Sequence, residues 1–113
     1  MHRLLSAVAV LLAATTARAE DLTSCEQGSN AHKAGNYDQA IADYDAAINL
    51  KPGYPLALSN RGAAYSSMGQ PDRAIADYDA AIRLDPGDAG TFVNRGGAYG
   101  DKGLEWTLKV RHG

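Results

Sequence analysis

Cysteine is nearly absent from this chain. A single residue, Cys25, leaves no internal disulfide to staple the fold and no thiolate-rich zinc site. Phe and Trp occur once each, so the other six aromatics are Tyr. No basic excess exists: 11 Lys and Arg face 13 Asp and Glu, for a formal net charge of −2, which excludes the cationic footprint of a nucleic-acid binder. No apolar run approaches the roughly 20 residues that a membrane-spanning helix needs. Gly-x-Ser-x-Gly and phosphate-cradling loops are missing, and no second His or Cys stands at ligand spacing from His32 or His112. The residues therefore predict no catalytic centre, no metal site and no cofactor. What remains is ordinary globular composition, 45% hydrophobic and 21% charged, in 113 residues, enough for one small folded domain.

The N-terminus reads as an address. Met1-His2-Arg3 precedes a mainly apolar stretch from Leu4 to Ala14, followed by Thr-Thr-Ala-Arg-Ala. A basic start, a short apolar run and a small-x-small ending at Ala17 and Ala19 predict a secretory signal peptide over 1–19, cleaved after Ala19. Leu22-Thr23-Ser24-Cys25 is similar to a lipidation motif, but Glu20 and Asp21 separate it from the apolar run. Cleavage removes Arg3 and Arg18, leaving 9 basic against 13 acidic residues and a formal charge of −4. The expected location is periplasmic or secreted.

Beyond residue 20 the chain repeats itself. Ala40-Ile41-Ala42-Asp43-Tyr44-Asp45-Ala46-Ala47-Ile48 recurs unchanged 34 residues later as Ala74 through Ile82, and 16 of 34 positions agree between 21–54 and 55–88. A third copy begins at Ala89, where Asn60-Arg61-Gly62-Ala63-Ala64-Tyr65 returns as Asn94-Arg95-Gly96-Gly97-Ala98-Tyr99. Each unit reads as two helices. In the second, a helix from about Leu56 to Met68 stops at Gly69, and Pro71 suits the first turn of the next, which runs to Leu84. Ala74, Ile75, Tyr78, Ala81 and Ile82 form its apolar face, with Arg73, Asp77, Asp79 and Arg83 on the other sides. In the first unit Gly35-Asn36 makes the turn, and Tyr37 to Leu50 is the second helix. Gly28, Gly62 and Gly96 are small where helices approach closely, and Tyr44, Tyr65, Tyr78 and Tyr99 fill the spaces between.

Gly62, Tyr65, Gly69, Ala74, Tyr78, Ala81 and Pro86 stand at a spacing that resembles the tetratricopeptide repeat family. Gly28, Gly35, Ala40, Tyr44, Ala47 and Pro52 match in the first unit, and Phe92, Gly96, Tyr99 and Gly103 in the third. The resemblance implies an all-α solenoid of antiparallel helix-turn-helix repeats over 20–103, in units 21–54, 55–88 and a partial 89–103. It implies a protein–protein interaction module that takes a peptide or helix on a concave face lined by the first helix of each unit. On that register the groove draws on Glu26, Ser29 and Lys33, then Asn60, Ala63 and Ser67, then Asn94, Gly97 and Asp101. Some family members grip a peptide's terminal carboxylate with lysines, an arginine and asparagines. Here Asn60 alone fits, with Cys25, Gly90 and Asn94 where the cations belong, so chaperone-tail recognition of that type is not expected.

Two departures matter. None of the ten positions from Leu104 to Gly113 matches the second unit, so the tail is either a short capping helix, with Leu104 and Leu108 over the last layer, or the accidental ending of a truncated repeat fragment with no selected function. Either way a normal last helix is missing, so the expectation is a marginally stable monomer or a dimer that covers the exposed last layer. Arg61 and Arg95 recur with the same period as Asp43, Asp45, Asp77 and Asp79, which predicts a ladder joining each arginine to an aspartate of the preceding unit.

Overall fold

The computed structural model describes residue 20 and residues 22–112, with side chains as far as residue 111. The expected signal segment, 1–19, lies outside the described residues. Among those described there are five helices and no strand: α1 (22–33), α2 (Tyr37–Leu50), α3 (Pro55–Ser67), α4 (Pro71–Leu84) and α5 (Ala89–His112). Helices α1 with α2 and α3 with α4 are the two hairpins of an all-α repeat array, and α5 opens a third unit.

The turns inside the hairpins have one cause. Gly35 and Gly69 adopt left-handed backbone angles, φ 81° and 74°, which cost glycine nothing. The amide after each glycine reaches back five residues, Asn36 N–H to the Ala31 carbonyl at 2.8 Å and Gln70 N–H to the Tyr65 carbonyl at 2.9 Å. These bonds satisfy carbonyls that a helix end leaves open. Pro71 then occupies the first position of α4, where its missing N–H costs nothing.

Packing between the two helices of a hairpin is a ring set on a glycine. A Cβ at Gly28 would lie 2.6 Å from Cε1 of Tyr44, and one at Gly62 would lie 2.8 Å from Cε1 of Tyr78. Tyr44 and Tyr78 are the largest fully enclosed side chains. Around Tyr44 gather Cys25, Ala40, Ala47, Tyr54, Ala57 and Ala64, all buried; around Tyr78 gather Ala74, Ile75 and Ala98, with Tyr65 half-buried beside them. Cys25 is thus a small core residue of α1. Burial pushes the Tyr44 phenol up to about 12, with the neighbouring Cys25 adding to the effect and a hydrogen bond with Ser29 opposing it. Tyr78 is raised for the same reason, with Asp77 contributing.

The third unit departs from the sequence expectation in three ways. Gly103 does not turn the chain, and α5 continues as one 24-residue helix. Leu104 and Glu105 are good helix formers where the second unit has Gln70-Pro71, and the residues after Gly103 carry no alanine–tyrosine face to fold back. The tail therefore covers no layer; Leu104 and Leu108 are exposed. Gly96 meets no neighbour within 4 Å, and Tyr99 is exposed rather than filling a gap, because among the described residues no following helix carries an opposing ring. In the second unit the correction concerns Asp77, expected on a polar side of α4 and found buried.

Three stability measurements follow from these contacts. Gly62→Ala should destabilise by about 1–3 kcal/mol in denaturant unfolding, because its methyl meets both the Tyr78 ring and the Ala74 carbonyl. Gly96→Ala, in open space within a helix of the single chain, should stabilise the monomer at low concentration by about 0.5–1 kcal/mol. The fold favours the neutral Tyr44 phenol, so that contribution is complete below pH 10.0 and lost as pH rises towards 12. Tyr44→Phe should flatten the alkaline unfolding profile in that window.

Candidate functional site

Helices α1, α3 and α5 are the first helices of successive units, and they present the periodic polar positions as two open depressions. One, of about 430 Å³, is bordered by Ala63 and Ser67 of α3, by Asn94, Gly97 and Asp101 of α5, and by His32 of α1. The other, of about 350 Å³, is bordered by Glu26 and Ser29 of α1, by Asn60 of α3, and by the apolar Leu22, Tyr54 and Leu56. Eight of the nine sequence-expected groove residues thus border one of the two. Lys33 is exposed and stands outside both linings. A larger depression, of about 620 Å³, lies at the Gly35–Gln39 turn beside Met68 and includes none of the periodic positions.

Helix geometry decides what each position offers. Gly97 and Ala63 leave backbone and empty space, and a Cβ added at Gly97 would meet nothing within 4 Å. Asn60 is half-buried, its amide N–H₂ pointing at Sγ of Cys25 at 3.9 Å, which leaves the amide oxygen to accept. Asn94 and Asp101 are exposed. Ser67 is engaged already: its Oγ shares a hydrogen bond with Nε2 of His32 at 3.0 Å. The His32 ring is held edge-on by Tyr37, with centroids 5.4 Å apart at 78°. His32 borders the same depression and was not among the positions that sequence reading named. The available signal was positional, since His32 stands one residue before Lys33 in the polar row, at the place of Ser66 one repeat on.

The floor of this surface is fixed from behind by arginines. Arg61 donates from Nε and Nη2 to the two carboxylate oxygens of Asp77, at 2.9 and 2.8 Å, and from Nη1 to Asp45 at 2.8 Å. It therefore ties α3 both to its own hairpin partner, α4, and to α2 of the preceding unit. The Asp77 side chain is 9% exposed, so this is a largely desolvated, bidentate pair. Hydrogen bonding to Asp77 raises the Arg61 pKa further above its already high value, against the opposing effect of burial. Arg95 repeats the backward arm, donating to Asp79 at 2.9 Å. It has no forward arm, because the position matching Asp77 in the third unit is Arg111. In the first unit the arginine position holds Gln27, and Asp43 instead accepts from Gln39 at 2.9 Å. The expected ladder is present, with an intra-unit fork at Arg61 that the sequence reading did not include.

Helix α5 is set in place at its start. Asp88 caps it, accepting from the Gly90 amide at 3.0 Å and the Thr91 hydroxyl at 2.9 Å, and Thr91 also meets Ser59 of α3 at 3.0 Å. Among the described residues no cluster of His, Cys, Asp and Glu is arranged to hold a metal ion, and no helix is long and apolar enough to cross a membrane.

Family models match twice: the tetratricopeptide repeat over residues 55–88, and the TPR repeat over residues 28–69. Together they span more than half of the chain. Curated protein sequences gave no match. Among solved structures, the first TPR of Spaghetti (RPAP3), bound to the HSP90 peptide SRMEEVD, is 28% identical with a TM-score of 0.71, over 73% of this chain and 65% of that one. The TPR domain of Sgt2 from Aspergillus fumigatus is 33% identical with a TM-score of 0.72, over 74% and 56%. The second TPR domain of human RPAP3, in complex with the HSP70 peptide SGPTIEEVD, is 27% identical with a TM-score of 0.73, over 78% and 73%. The chain thus spans less than two thirds of the first two.

The two arginines should respond differently to removal. Arg61→Leu leaves the Asp77 carboxylate buried without its fork and should cost about 2–4 kcal/mol in denaturant unfolding. Arg95→Leu breaks a pair whose side chains are 31% and 37% exposed and should cost less than about 1 kcal/mol. Equal losses would contradict the assignment of Arg61 as the tie between units.

Proposed function

The chain belongs to the tetratricopeptide repeat family, and from that premise we propose that it is a non-catalytic interaction module holding a peptide or helix of another protein across α1, α3 and α5. The observation that carries this reading is the convergence of eight periodic positions on two adjoining depressions of one face. Asn60 and Asn94 suit a peptide backbone, because an amide accepts and donates at once. Gly97 and Ala63 leave room for the ligand's side chains. The peptides named with the RPAP3 structures are acidic at their ends. In this chain the corresponding surface carries Glu26 and Asp101, so the occupant is a neutral or basic segment rather than an acidic tail. We propose also that the protein is exported, on the strength of the basic, apolar and small-residue order in 1–19.

Panning the purified protein against a displayed peptide library should return neutral or basic sequences that bind saturably. Gly97→Arg places a long side chain in the groove without disturbing the helix and should weaken binding by at least about tenfold. Asn60→Ala should weaken it by roughly three- to tenfold. The acidic peptide SRMEEVD should not compete. If no peptide is selected, or Gly97→Arg binds as tightly as the parent, the groove reading fails. N-terminal sequencing of the exported protein should begin at Glu20.

A further inference from the structure

Helix α5 carries a second face that no other helix covers among the described residues, about half a turn around the helix from Asn94, Gly97 and Asp101, with Arg95 of α5 itself over the Phe92 ring at 5.3 Å. Phe92, Gly96, Tyr99, Gly103, Trp106 and Val110 follow one another at spacings of four, three, four, three and four, which is a continuous seam along one side of a helix. The four large members are exposed: Phe92 40%, Tyr99 52%, Trp106 67% and Val110 59%. One repeat earlier, the positions of Phe92 and Gly96 are covered and that of Tyr99, Tyr65, is half-buried. Leu58, matching Phe92, is buried, and Gly62, matching Gly96, is pressed by the Tyr78 ring. The missing cover is therefore an antiparallel helix that sets rings on glycines, as α2 and α4 do inside the chain.

We propose that the cover is α5 of a second copy of this chain, paired antiparallel across a two-fold axis beside residue 101. The seam is complementary to itself in that register. Tyr99 falls on Gly103 of the second copy, Trp106 on its Gly96, and Phe92 on its Val110, and the axis repeats each contact. Arg95 and Lys102 fall opposite Thr107 and Gly100 of the second copy, so no like charges meet along the seam. The contact runs about 27 Å along the helix. Three half-exposed rings per copy, each presenting roughly 150–250 Å² when free, together with the backbone at the glycines, bury on the order of 1,000 Å² in all, the lower bound for a specific interface. The pairing is isologous and closed, and it leaves the groove open on the far side of α5. It is independent of what the groove binds.

Sedimentation equilibrium of the purified chain tests this, with circular dichroism confirming helicity for every variant. The parent should be dimeric at about 100 µM and dissociate on dilution. Trp106→Glu should raise the dissociation constant at least about thirtyfold, the loss expected of a central ring. Leu108→Glu, also exposed but on the opposite side of α5, should leave the dimer intact. A parent that remains monomeric at about 100 µM overturns the proposal and leaves the face uncovered. So does an association lost equally in both variants, or one that Trp106→Glu does not weaken, since another surface would then be in use.

Discussion

A tyrosine ring pressed against a glycine holds each hairpin of this protein together. Tyr44 covers Gly28 and Tyr78 covers Gly62 so closely that a single added methyl would collide with the ring. The contact is demanding in both directions. It lets the helix backbones approach, which encloses the alanines around them at interior density, and it requires each glycine to be met by a ring from the next helix. Where that helix exists the layer closes. Among the described residues no helix meets Gly96, and the consequences extend along α5: an open glycine, an exposed Tyr99 and a helix that continues straight to His112.

The arginine ladder solves a different problem. Small residues pack tightly but give little directional information about how one unit sits on the next. Arg61 supplies it, because a planar guanidinium forked onto Asp77 has no freedom left when it also reaches Asp45 of the preceding unit. Desolvation of Asp77 makes this costly unless the fork is complete, so the pair specifies register more than it adds raw stability. The ladder weakens at both ends, with Gln27 in place of an arginine at the first rung and Arg111 in place of an aspartate after the last. The middle unit is therefore the best-determined part of the fold and the part that sets α3 against α1 and α5.

Those placements give α5 two roles on opposite sides. One side faces the groove with Asn94, Gly97 and Asp101, anchored at its start by Asp88 and Thr91. The other displays alternating rings and glycines. A helix that ended at Gly103 would have carried half of that seam, and its continuity through Trp106 and Val110 is what makes the face self-complementary. The proposed peptide recognition and the proposed association of copies fall on separate surfaces, so neither excludes the other.

Most of the architecture was legible without coordinates. A 34-residue offset, glycine before the turn, proline after it and an apolar face of alanines and tyrosines fix helix, turn, helix locally, because each is a short-range property of the backbone and its periodicity. The bounds of α2 at Tyr37 and Leu50 and the pairing of arginines with aspartates of the preceding unit were readable for the same reason. Other features were not, because they depend on which surfaces meet. Asp77 and Asp79 lie two residues apart on α4, yet only the packing of α3 shows that one is sealed under Arg61 and the other faces the next unit. His32 became a groove residue when α1 was laid beside Ser67. Gly103 stands where Gly69 turns the chain one repeat earlier, but a glycine permits a turn without requiring it; among the described residues α5 runs straight, with no face after Gly103 to fold against. Sequence by itself determined the repeating unit; tertiary structure decided where the repetition stops being satisfied, because burial and pairing belong to two surfaces and not to either alone.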